Sequence, residues 1–130
     1  MQQSFYKVAM RPGKPLMAGR LRDVPMIGLP GNPVSALVCG TIFVAPVVRA
    51  MLGLGRSPAP RQRAPLAKPL APNGPREHYM RAELDVDRLR AFDRQDSSLL
   101  TVLAGAAALL VRPPHDPAQP EGAMVDYIAL

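Results

Sequence analysis

Apolar and polar residues change their spacing several times along this chain, and each change marks an element. Residues 5–10 and 16–21 alternate well enough to predict two strands, with Arg11, Pro12, Gly13, Lys14 and Pro15 as the turn between them. Val24, Met26, Ile27 and Leu29 predict a short buried strand. Pro30 and Gly31 break it, Asn32 stands as a helix N-cap, and Pro33 is the first helical residue. The apolar run behind them predicts a helix from Pro33 to about Leu52. Pro46 should kink it by removing the amide that would bond to Ile42, and Gly53 and Gly55 supply its stop.

Punctuation changes in the second half. Six prolines, at 58, 60, 65, 69, 72 and 75, exclude a regular helix between Arg56 and Arg76 and predict a linker running into an edge-like strand. Residues 77–84, 88–92, 107–111 and 123–130 read as strands, and residues 98–106 as a short helix. Short strands separated by Gly, Pro and Asp turns suggest a small β-barrel or sandwich. The fold class is therefore α/β plus all-β, with residues 1–57 as an α/β segment and residues 58–130 as linker and barrel. Three strands and one long helix are too few for an α/β layer covered on both faces. This implies the end of a larger α/β domain whose remainder lies upstream, with Met1 as an internal or secondary start.

Composition narrows the context. With 130 residues and 48% hydrophobic content the chain can bury one core or two small ones. No apolar run of about 18 residues is free of charges and breakers, so no membrane span is expected, and the N-terminus lacks the basic start and apolar stretch of a signal peptide. The lone Cys39 excludes an internal disulfide and fits a reducing cytoplasm; its place in the apolar helix predicts a buried structural thiol.

The net charge of +6 is unevenly placed. Residues 1–57 hold seven basic side chains against Asp23 alone, whereas residues 58–130 hold nine of each sign. Few aromatics, no RNA-binding signature and no zinc-finger spacing argue against nucleic acid and for a small anionic ligand. A solvated basic surface is the alternative for Arg20, Arg22, Arg49 and Arg56.

The segment Gly28, Leu29, Pro30, Gly31, Asn32, Pro33, Val34, Ser35 is where such an anion would bind. A helix mouth carries about half a positive charge and up to four unpaired amides, and Ser35 adds a hydroxyl. An ordinary strand-turn-helix would use the same residues. Elsewhere, Arg81 could pair with Glu83 or Asp85 on a solvated strand face. Ser97 and Ser98 could cap the short helix behind Asp96. Asp85, Asp87 and Asp96 read as turn residues rather than metal ligands, and His78 and His115 have no partner at zinc spacing.

The motifs together resemble a known family. Arg11-Pro12-Gly13-Lys14-Pro15, then Gly28 to Ser35, the apolar helix, the Pro-rich joint and the β tail look like the C-terminal third of the molybdopterin molybdenumtransferases, the MoeA family, similar to the E domain of gephyrin. Gly74 to Ala82, Gln95 to Leu100 and Val111 to Pro114 resemble stretches of its last domain. The resemblance implies the C-terminal part of a MogA/MoaB-like α/β domain followed by a small β-barrel. It also implies that molybdate is inserted into adenylylated molybdopterin, with Mg²⁺ aiding release of AMP, in a homodimer whose site lies between subunits.

Roles carry over only at matching positions. Lys14, Ser35, Arg81 and Arg11 are implied as molybdate-binding, Arg11 standing where relatives often have lysine. Pro30, Gly31, Asn32, Pro33 and Ser35 are implied at the molybdopterin or phosphate side, and Ser97 and Ser98 are implied as weaker companions of Arg81. The acidic Mg²⁺ ligands of the family lie upstream of these positions, so no turnover is expected of this chain alone. Two other functions stay open: a non-catalytic dimerisation or scaffold module of the same family, and an unrelated phosphate-binding module. The implied partners are small anionic substrates, without nucleic acid or membrane.

Overall fold

The structure is a computed structural model that describes residues 2–5, 9–12, 16–93, 95 and 107–130, the first four by backbone course alone. Lys14, Ser97, Ser98 and the short helix expected at residues 98–106 lie outside the described residues. What is described is mostly sheet with some helix.

Three strands form one antiparallel sheet in the order β1 (Gln2–Phe5), β3 (Met17–Leu21), β4 (Val24–Gly28). The strand expected over residues 5–10 is thus not one element. Its start belongs to β1, and Met10 and Arg11 form a short strand, β2, in the second sheet. Arg11 leaves its expected turn because β6 (Glu77–Asp85) offers it a parallel partner, pairing Met10 with Glu77 and Arg11 with His78. A second expectation fails at β4, where Val24, Pro25 and Met26 are exposed rather than buried. As the outer strand of its sheet, β4 reaches the core only through Ile27.

Helix formation follows the expected signals at both ends. Asn32 caps α1 (Pro33–Cys39), and Gly53, at φ +76, turns the chain out while the Leu54 amide returns to the Arg49 carbonyl at 2.9 Å. Between them Pro46 does not break the helix. The turn Gly40–Val44 widens into a π-helix, with the Ala45 amide donating to the Gly40 carbonyl five residues back, and α2 (Ala45–Met51) continues beyond it. The wider turn accommodates the missing proline amide. The uninterrupted helix Pro33–Met51, 19 residues long, is by length and composition apolar enough to cross a membrane, which the count of breakers in the sequence did not anticipate. Val34, Val38 and Cys39 on its first half are nevertheless buried against protein. Burial pushes the Cys39 thiol up to about 11, as suits an inert packing residue.

The second sheet has the order β2–β6–β8–β9–β5, with β7 (Arg88–Ala91) also on β6, where β5 is Gln62–Pro65, β8 is Ala108–Arg112 and β9 is Met124–Ala129. β5 lies inside the proline-rich stretch expected to be irregular. It is tolerated there as an edge strand, with Pro65 at its last position opposite Met124. Past Pro65, a parallel bridge of Leu66 with Leu89 joins the end of β5 to β7, and the Ala67 amide donates to the Leu89 carbonyl at 2.8 Å.

β8 is buried along its whole length, and its pleat sends alternate side chains to two different cores. Ala108 and Leu110 join Ala64, Leu66, Ala82, Leu89, Val125 and Tyr127. Leu109 and Val111 join Tyr79, Ile128 and, from the N-terminal half, Met10, Leu16, Val38 and Cys39. One core therefore crosses the boundary expected at residue 57.

The β6–β7 hairpin turns through Val86 and Asp87 at φ +48 and +63, and Val86 is 89% exposed. A β-branched residue in the left-handed region is strained, and here no burial compensates. Val86→Asn should raise stability by about 1 kcal/mol, read as a higher urea midpoint at unchanged slope. An unchanged or lower midpoint would show that the turn is unstrained.

Candidate functional site

The helix mouth does not leave its amides free. Pro33 has none, the Asn32 Oδ1 accepts from the amides of Val34 at 3.0 Å and Ser35 at 3.3 Å, and the Ala36 amide donates to the Asn32 carbonyl at 2.8 Å. Asn32 thus takes the place that an external anion was expected to fill. Only the field of the helix remains for a ligand at this loop. Pro30 and Ser35 are buried, and Gly31 has open space where a side chain would stand.

Positive charge gathers instead where β2 meets β6. The parallel register sets Arg11 beside His78, and Arg11 Nη2 lies 2.7 Å from His78 Nδ1. A guanidinium can only donate, so Nδ1 is the bare acceptor and the ring proton sits on Nε2. His78 is 6% exposed. Burial, and after it the charges of Arg11, Arg81, Arg112 and Arg76, push its pKa down to about 3, so the imidazole is neutral. Burial and the nearby Arg76 charge also hold Arg11 below its ordinary value. Among the described residues no carboxylate lies within ion-pair distance of Arg11 or Arg76.

The remaining two arginines of this neighbourhood are tied into the fold. Arg112, 3% exposed, donates from Nε to Asp116 at 2.7 Å, from Nη1 to the Ala71 carbonyl at 3.0 Å and from Nη2 to the Pro117 carbonyl at 3.1 Å. It clamps the proline-rich segment to the loop after β8. Arg81 is fully buried, which rules out the alternative of pairing with Glu83 or Asp85 on a solvated face. β6 is covered on both sides at Arg81 and Ala82, and both carboxylates pair with Arg90 at the exposed end of the hairpin. Arg81 donates from Nη1 to the Tyr79 carbonyl at 3.1 Å and from Nη2 to the Gln95 carbonyl. Gln95 returns bonds to the Arg81 backbone, accepting from its amide at 2.9 Å and donating to its carbonyl at 2.8 Å.

Arg11 and Arg81 are therefore brought to one neighbourhood around His78. Ser35 stands on the helix whose Val38 shares a core with Met10, and Lys14 lies outside the described residues. Residue patterns had pointed to neither the His78 acceptor nor the Gln95 clamp. Arg11 and His78 are 67 positions apart, so only the strand pairing reveals the contact.

Residues 63–130 match the family model described as the MoeA C-terminal region (domain IV). The chain is 45% identical over 82 residues to "Molybdopterin molybdenumtransferase 2" of Mycobacterium tuberculosis, covering 62% of this chain and 20% of that protein. It is 37% identical over 115 residues to the "Molybdopterin molybdenumtransferase" of Nostoc sp., covering 82% and 26%. Among solved structures it is similar to the molybdopterin biosynthesis moeA protein of Pyrococcus horikoshii OT3, with TM-score 0.81 and 20% identity over 98% of this chain and 32% of that one. The chain thus spans between a fifth and a third of the length of these proteins.

Keeping His78 neutral has a consequence for stability. Above about pH 6.5 the unfolded chain also holds this histidine neutral, so its contribution is complete. Below it the unfolded chain takes up a proton that the fold refuses, and stability falls by up to about 1.4 kcal/mol per pH unit until the folded value near 3 is reached. Urea midpoints measured from pH 7 to pH 4 should fall more steeply for the wild type than for His78→Asn. Parallel curves would show that His78 titrates normally in the fold.

Proposed function

The chain belongs to the family of the MoeA C-terminal region, and from that premise we propose that it works in molybdenum cofactor biosynthesis, as part of the enzyme that inserts molybdate into adenylylated molybdopterin with release of AMP. The relatives named above carry the name of that transferase, and residues 63–130 match the C-terminal region of the MoeA family. The observation that carries the reading is the positive charge of Arg11 and Arg76, which have no carboxylate partner among the described residues, around a neutral His78. Molybdate is a dianion, and desolvated guanidinium groups held in place bind such an oxyanion by charge and directed N–H donors.

On this reading Arg11 and Lys14 hold molybdate and Ser35 donates to it. Arg81, locked to the carbonyls of Tyr79 and Gln95, adds fixed charge behind them. Pro30, Gly31, Asn32 and Pro33 shape the loop on the molybdopterin side, and Ser97 and Ser98 are weaker companions of Arg81. The protein's contribution to the transfer is positioning: two anions are gathered so that oxide exchange for thiolate proceeds as if within one molecule. Mg²⁺ would offset charge on the adenylate phosphates and aid release of AMP, held by acidic residues other than those named here.

Finer features of the architecture belong to the same reading. β5 to β9 form a small barrel closed through the Leu66–Leu89 bridge, and β1, β3, β4 and the long helix are the end of a MogA/MoaB-like α/β domain. The working form is a homodimer in the cytoplasm, acting on small substrates rather than on nucleic acid or membrane. Calorimetric titration of molybdate at low ionic strength tests the reading. The chain should bind it, with Lys14→Ala and Ser35→Ala each weakening binding about tenfold, or about 1.4 kcal/mol. Binding confined to ordinary mononucleotides, or indifferent to both substitutions, would contradict it.

A further inference from the structure

His78 stands at a position where a carboxylate would be the ordinary partner for a half-buried arginine. A carboxylate would orient Arg11 but would cancel its charge. A neutral imidazole accepts the same hydrogen bond and leaves the charge whole. Nδ1 is placed to do this at 2.7 Å from Arg11 Nη2, and the β2–β6 register holds both residues side by side. Among the described residues the charged groups facing His78 are cationic, Arg11, Arg76, Arg81 and Arg112, and Arg112 is paired with Asp116. The one carboxylate adjacent in sequence, Glu77, is turned to the Tyr79 hydroxyl at 2.7 Å and to Arg61 at 3.8 Å.

We infer that His78 is a positioning residue for oxyanion binding, an uncharged acceptor that fixes the Arg11 guanidinium without neutralising it, so that Arg11 and Arg76 present undiminished charge to molybdate. This rests on the molybdate reading above and adds a residue to it. His78 need not touch the ligand. Its effect passes through the orientation of Arg11 and through the sign of the charge at position 78.

Two nearly isosteric substitutions separate this role from simple packing. His78→Asn puts an amide oxygen near the position of Nδ1, and His78→Asp puts a carboxylate there. Titrated with sodium molybdate at fixed ionic strength and pH 7.5, His78→Asn should bind within about threefold of the wild type. His78→Asp should bind at least tenfold more weakly, although thermal unfolding shows it no less stable than the Asn variant. His78→Phe, with no acceptor, should also lose at least tenfold. Nitrogen-15 spectra of the wild type should show a bare Nδ1 and a protonated Nε2 at the same pH. Equal affinity of the Asp and Asn variants would overturn the inference while leaving the molybdate reading intact, and so would a protonated Nδ1. If the Phe variant fails to fold, the Asp and Asn pair still decides. A wild-type chain that does not bind molybdate overturns both.

Discussion

The two-sided burial of β8 is the constraint on which the rest depends. Its five residues are all buried, so its amides and carbonyls must be satisfied within the sheet, between β6 and β9. Its side chains must then fill two cores at once. Leu110 faces the core of the β tail, and Leu109 faces the core that holds Met10 and the helix. A shift of one residue in this strand would exchange the two sets, so the register is fixed by packing on both faces. The N-terminal half is thereby fastened to the tail by apolar contact as well as by β2.

That fastening sets the electrostatics. β2 is only two residues long, yet pairing it with β6 brings Arg11 to His78 in the interior edge of the sheet. The chain then treats the arginines around His78 in different ways. Arg112 is neutralised by Asp116 and spends its remaining donors on carbonyls, which makes it part of the scaffold. Arg11 is held by a neutral ring and keeps its charge. The helix mouth, where an anion was first expected, is closed by its own Asn32.

Much of the fold was legible from short-range signals. Asn32, Pro33 and Gly53 mark the helix ends because capping chemistry is local, and the strands of the tail are bounded by turn residues that act within four positions. What could not be read depends on partners distant in the chain. β5 exists because β9 covers it, despite Pro65, and Arg11 leaves its turn because β6 lies beside it. The outward face of Val24 and Met26 reflects the layer they belong to, which no alternation pattern reveals. Of the basic group around His78, Arg11 and Arg81 were singled out through the resemblance. The neutral acceptor at position 78 was not, since a histidine without metal-ligand neighbours carries no local signal.

Cooperation between the two halves is measured most directly by native-state hydrogen exchange. Three probes are decisive: the amides of β8, the Glu77 amide bonded to the Ala9 carbonyl at 3.0 Å, and the Gly40 amide bonded to the Ala36 carbonyl in the helix. If one shared core holds the site, all three should exchange with the same free energy and the same denaturant dependence, through global unfolding alone. Exchange of the Glu77 and Gly40 amides at a free energy several kcal/mol below that of β8 would contradict the account, because the basic group would then ride on a segment that opens independently of the tail.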